Sequence, residues 1–121
     1  MEKLTSEMQA MFRERLAVVA TASNTGIPNV GPKGPMYVID EETLVFSENK
    51  AEKTLRNLQE NPKVAAVVLD MEKVIGYQVK GTAELITGGE LFLDIAKRQR
   101  KRNRPQPEYV VKIKVEEIYV V

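Results

Sequence analysis

Two long apolar segments almost touch in the middle of the chain. KVAAVVLD (residues 63–70) and VIGYQVKGTAELI (residues 74–86) are separated only by Met71 to Lys73. Parallel strands need a crossover of a dozen residues or more, so a connection this short predicts an antiparallel hairpin. The same texture recurs at both ends. In the closing YVVKIKVEEIYVV, Val111, Ile113 and Val115 alternate with Lys112 and Lys114, the period of a half-buried strand. Near the start, LAVVATAS reads as a strand, NTGIPN as a turn and VGPKGPMYVID as a second strand, and TLVFS follows a turn at Asp40 to Glu42. VGPKGPMYVID is unusual, because Pro32 and Pro35 donate no ladder hydrogen bond and Gly31 and Gly34 bring no side chain. An edge position or a bulge is expected there.

Helical spacing interrupts this pattern two or three times. Leu4, Met8, Met11, Phe12 and Leu16 form one stripe, with Ser6 and Gln9 spaced as a capping box. Ala51, Leu55 and Leu58 form another, with Asn49 and Glu52 as a capping pair and Asn61-Pro62 as the stop. A third follows Gly88 and Gly89, with Leu91, Leu93 and Ile95 turned inward and PQPE ending it. About six antiparallel strands with two to three flanking helices predict a mainly β chain, a closed or partly closed barrel. Residues 1–121 are expected to form one domain, which at this length buries roughly two thirds of its unfolded surface.

Composition narrows the chemistry. Cysteine and histidine are both absent, which removes thiol nucleophiles, thiolate metal sites, the commonest general base and the commonest metal ligand. There is no phosphate-binding Walker loop, no GxGxxG opening a helix and no nucleophile elbow. The paired carboxylates Glu41-Glu42 and Glu116-Glu117 fall at a turn and in the terminal strand, positions that suit solvated surface. Any chemistry in this chain therefore comes from a cofactor, or there is none. No apolar run approaches the length of about 20 residues that spans a bilayer, and MEKLTSEM lacks a signal-peptide core, so a cytoplasmic protein is expected.

The candidate site is the helix start in SENKAEKTLRNLQENPKV, residues 47–64. A helix N-terminus offers unpaired N–H groups and a positive dipole end, to which Lys53 adds a charge and Thr54 a hydroxyl, with Ser47 and Asn49 as further donors. That set suits a phosphate. The competing reading makes Asn49 a plain cap and pairs Lys53 with Glu52 or Glu60. In VGPKGPMYV, the sparse donors and side chains let a flat polar ligand approach the backbone, with Lys33 able to face negative charge on it or, alternatively, to guard an exposed strand edge.

Taken together, NTGIPN, the proline and glycine-rich strand, TLVFS, KTLRNLQENPKVAAVVLD and GYQVKGTAEL resemble the pyridoxamine 5'-phosphate oxidase-like split-barrel flavoproteins, most of all the small FMN-binding proteins. The resemblance covers roughly residues 10 to 88 and the last strand. It implies an FMN-binding split barrel, a homodimer with two FMN sites at its interface, and a redox or electron-transfer role. By that resemblance Lys53 and Thr54 match the pair that holds the FMN phosphate. Ser47, Glu48 and Asn49 match the loop around the ribityl chain, and Pro32, Lys33 and Gly34 match the strand against the flavin ring. Gln78 or Lys80, with the last strand, would complete the partner subunit's site. The arginine and histidine that recognise pyridoxamine phosphate in the true oxidases have no counterpart in KVEEIYVV, which argues against that substrate. The missing histidine likewise weakens any comparison with the haem-degrading branch.

One feature points elsewhere. Six of the 18 basic residues lie in KRQRKRNR, residues 97–104, leaving 12 basic against 17 acidic residues in the remainder, a charge of −5. The alternative function is thus a barrel without flavin that holds nucleic acid or another polyanion through this run. A third reading keeps the fold and replaces FMN with a deazaflavin or haem.

Overall fold

The computed structural model describes residues 2–49 and 52–121. Helix α1 (Ser6–Glu14) leads into β1 (Ala17–Ala22), β2 (Pro28–Gly34), β3 (Tyr37–Asp40) and β4 (Thr43–Glu48). Then come α2 (Glu52–Glu60), β5 (Lys63–Asp70), β6 (Ile75–Ile86), α3 (Glu90–Lys101) and β7 (Tyr109–Val120). Every pairing is antiparallel, in one sheet ordered β2-β1-β5-β6-β7-β4-β3. The expected β5–β6 hairpin is its centre, running in register from Lys63 opposite Thr82 to Asp70 opposite Ile75.

The described residues contain seven strands where about six were expected, and the extra one comes from VGPKGPMYVID. Gly34 takes φ +67°, a left-handed turn that L side chains rarely adopt, and Pro35 follows with no N–H to donate. The segment therefore breaks into β2 and β3, which become the two edges of the sheet. The expected bulge is also present: Ala17 pairs with Gly34 and Val18 with Pro32, so Lys33 is the extra residue. With its edges joined by this short link, the sheet curls into a half-barrel, and the buried ion pair of Lys33 with Glu48 ties β2 to β4 across the seam at 2.9 Å.

The concave face holds the main core. Phe12, Leu44, Val68 and Ile113 are fully buried there beside Phe46, Val19 and Val79. Helix α1 plugs one end, and its cap is Thr5, whose hydroxyl accepts from the Met8 N–H at 3.2 Å, in place of the expected Ser6. Leu16, expected on the helical stripe, follows the helix and is exposed, and Leu93 faces solvent on α3. Helix α3 covers the convex face of β3, β4 and β7, where Tyr37, Val45, Ile95 and Val110 make a second small core. The expected stripe position Ala51 and the junction into α2, including any cap made by Asn49, lie outside the described residues.

Candidate functional site

Strand β4 ends at Glu48, and the chain passes through Asn49 toward α2, so Ser47, Glu48, Asn49, Lys53 and Thr54 surround one strand-to-helix junction. Lys53 is exposed in the first turn of α2 and makes no ion pair among the described residues. The pairing with Glu52 or Glu60 is therefore not made. Thr54 is buried at 2 % exposure, with its hydroxyl 3.5 Å from the Asn29 amide of β2. One turn later, the Asn57 amide donates to the Thr21 hydroxyl of β1 at 3.0 Å. Thr21 and Asn29 are themselves cross-strand partners, so four short polar side chains seat α2 on the β1–β2 edge.

Lys33 is neither exposed nor a guard of the strand edge. The bulge turns its side chain inward, to 7 % exposure, where the ammonium pairs with Glu48 and lies 5.9 Å from the centroid of the Phe46 ring. Tyr109, opposite Glu48 on β7, is buried beside it. Burial first, then the negative charge of Glu48 and Glu108, pushes the Tyr109 phenol well above its usual range.

The sequence candidates divide between the two faces of the sheet. Lys33 and Glu48 meet on the concave side, close to the junction that carries Lys53 and Thr54. Pro32 and Gln78 lie on the convex side, in a row that runs Pro32, Val18, Val67, Gln78, Tyr119 across five strands. The next row reads Val30, Ala20, Ala65, Lys80, Glu117. Gln78 pairs with Tyr119, whereas Glu48 pairs with Tyr109 at the other end of β7, so Gln78 does not join the junction within one subunit. Small apolar side chains dominate these rows, Val30 is 65 % exposed, and Gln78 borders a shallow cavity of about 170 Å³.

The described residues on either side of the junction include groups that could face an anionic, phosphate-bearing ligand. The exposed Lys53 ammonium makes no ion pair among the described residues, the Thr54 hydroxyl and the Asn29 and Asn57 amides are engaged in seating α2, and Lys33 pairs with the Glu48 carboxylate. Thr21, Asn29 and Asn57 escape sequence reasoning because a polar residue in a short strand or a helix looks solvent-facing. The only signal is that Thr21 interrupts an apolar run and Asn29 follows a proline.

Residues 4–121 match the sequence profile described as pyridoxamine 5'-phosphate oxidase. An uncharacterized protein of Methanocaldococcus jannaschii is 40 % identical, the match covering 97 % of this chain and 80 % of that protein. Among solved structures, HupZ of Group A Streptococcus is 35 % identical with a TM-score of 0.90, covering 98 % of this chain and 94 % of that one. An FMN-binding protein from Syntrophomonas wolfei (21 % identity, TM-score 0.81, 93 % and 82 % coverage) shares the fold. So does HutZ, the heme storage protein of Vibrio cholerae (20 % identity, TM-score 0.74, 98 % and 95 % coverage). A profile match over nearly the whole length, with relatives at 40 % and 35 % identity, places this chain in the pyridoxamine 5'-phosphate oxidase family.

Proposed function

We propose that this protein binds FMN at the β4–α2 junction and serves as a cytoplasmic homodimeric redox protein, an electron carrier or small flavin-dependent oxidoreductase that does not act on pyridoxamine phosphate. The observation that carries the reading is the exposed Lys53 at the start of α2, which makes no ion pair among the described residues, while Lys33 pairs with Glu48 at the end of β4. Family membership supports it, and so does the FMN-binding protein of the same fold. Among the described residues, no helix is long and apolar enough to cross a membrane.

In this reading Lys53 and Thr54 hold the phosphate, and Ser47, Glu48 and Asn49 line the ribityl chain. The backbone of Pro32, Lys33 and Gly34 flanks the ring. Lys33, with its charge engaged by Glu48, then acts by neutralising that carboxylate and fixing the bulge. Gln78, on the convex face, serves the site of the partner subunit, which accounts for its distance from the junction. Bound FMN supplies one- and two-electron chemistry, and the protein contributes binding, orientation and local charge.

The test is a fluorescence titration of FMN into the wild type and a Lys53→Ala/Thr54→Ala variant. Charge-assisted hydrogen bonds contribute about 1.5 to 3 kcal/mol, so affinity is expected to fall by more than about tenfold. Equal affinity would remove this junction from the account. The same titration with haem or a deazaflavin in place of FMN checks the rival cofactors, and tighter binding of either would replace FMN in the proposal.

A further inference from the structure

Residues 97–104 take no part in the candidate cofactor site, yet they border it. Lys97, Arg98, Arg100, Lys101, Arg102 and Arg104 are all exposed, and among the described residues only Arg98 of the six is in an ion pair, with Asp94 at 3.2 Å. Their backbone is held firmly. The Tyr37 hydroxyl of β3 donates to Gln99 Oε1 at 2.5 Å, Gln99 Nε2 donates to the Pro105 carbonyl at 3.2 Å, and the Arg104 N–H donates to the Gln99 carbonyl at 2.9 Å. The guanidinium groups of Arg98 and Arg102 sit 5.8 and 4.7 Å from the centroid of the Tyr37 ring. Arg104 Nη1 lies 3.8 Å from the point where a Cβ on Gly34 would be. The end of α3 is therefore clamped onto β3 and the Gly34 end of β2, directly after the stretch assigned to the flavin ring.

We infer that this ridge docks an acidic electron-carrier protein beside the cofactor, an inference that rests on the flavin reading above. Three observations select that partner. A small phosphate-bearing molecule would need a concave site, but the groove next to the ridge is lined by Val38, Ile39, Leu91 and Glu90, and its cation Arg98 is already paired with Asp94. A single nucleic-acid strand would stack its bases on aromatic faces, whereas Tyr37 is 4 % exposed and lies beneath two guanidinium groups. A duplex offers a phosphate track of about 34 Å per turn, while residues 97–102 extend roughly 8 Å at the helical rise. Outside residues 97–104 the chain carries −5 and repels a long polyanion. A compact cationic ridge on an otherwise acidic body instead matches the compact anionic patch of a small carrier, with charges steering a brief encounter.

The experiment uses the full chain with FMN added and a plant-type [2Fe–2S] ferredoxin as the acidic probe, with binding read by titration calorimetry. The variant Lys97→Glu/Arg100→Glu/Lys101→Glu changes three cations that make no contact with Tyr37 or Gly34. A second variant, with glutamine at the same three positions, guards against a folding defect in the first. Both are expected to weaken ferredoxin binding, the glutamate form by at least about tenfold, as is a rise in ionic strength from about 0.05 M to about 0.5 M. FMN affinity should stay unchanged in both variants. The inference is overturned if the wild type does not bind ferredoxin, if the variants bind it equally well, or if a DNA duplex of about 20 base pairs binds more tightly at the same ionic strength. If ridge-dependent ferredoxin binding is seen but FMN is not retained, the cofactor reading falls and the docking surface stands.

Discussion

The convex face of the sheet is built in two ways. Over β3, β4 and β7 it carries Tyr37, Val45 and Val110, and α3 seals them with Ile95, so each is 4 % exposed or less. Over β2, β1 and β5 it carries Val30, Val18, Ala20, Ala65 and Val67, and among the described residues no helix packs on them. The strand period is the same in both halves. Free strands facing water normally alternate apolar with polar residues, so apolar side chains on both faces mean that both are meant to be covered. The sealed half supplies its own cover. The bare half has none among the described residues, and it borders Gln78, the candidate on the face opposite Lys33 and Glu48. That is the arrangement expected if a second subunit supplies the cover.

Breaking the sealed half should cost the most. Ile95→Ala is expected to lower unfolding free energy by about 2 to 4 kcal/mol in urea denaturation, because its methyl groups leave a cavity under α3. Val30→Asp in the bare half should change the stability of the isolated subunit by less than about 1 kcal/mol, since the site is 65 % exposed. It should nonetheless shift the protein from dimer to monomer in sedimentation. A Val30→Asp protein that remains dimeric would show that the bare half is not the subunit contact. The contrast sharpens with Tyr37→Phe, which removes only the hydroxyl bonded to Gln99 and should cost about 1 kcal/mol, with little effect on FMN affinity.

The smallest expected effect is alkaline. The folded Tyr109 phenol is raised by burial and by Glu48 and Glu108. Above its ordinary value, about 10, the unfolded chain releases a proton that the folded chain keeps, so stability falls as pH rises from there. Tyr109→Phe should remove that part of the slope, read as a smaller drop in urea midpoint between about pH 9 and about pH 11. An unchanged slope would mean that another group governs the alkaline limit.

Most of this architecture was legible in the sequence because alternation reports burial directly. The β5–β6 hairpin, the long β7 and the edge character of the proline and glycine-rich segment all follow from it. Where the chain crosses from one sheet edge to the other between Gly34 and Tyr37, periodicity is blind: a positive φ at one glycine turns one expected strand into both edges of the sheet. The cap of α1 moved by one residue because Thr5 and Ser6 carry the same hydroxyl chemistry. Within the site, the donors at the α2 start were visible as residue types. Lys33 was not visible as a buried partner of Glu48, because that pairing depends on a bulge and on curling that brings β2 to β4. The seat made by Thr21, Asn29, Thr54 and Asn57 was hidden for the same reason, since those residues are 25 and 36 positions apart in each bonded pair.

The central claim is tested most directly by mixing the purified, untagged protein with excess FMN, removing the excess by gel filtration and recording the absorption spectrum across the eluted peak. Oxidised-flavin bands near about 370 and 450 nm are expected to co-elute with the protein at the size of a dimer. A colourless protein peak would contradict the claim, leaving the α2 junction without a cofactor and the basic ridge as the remaining functional surface.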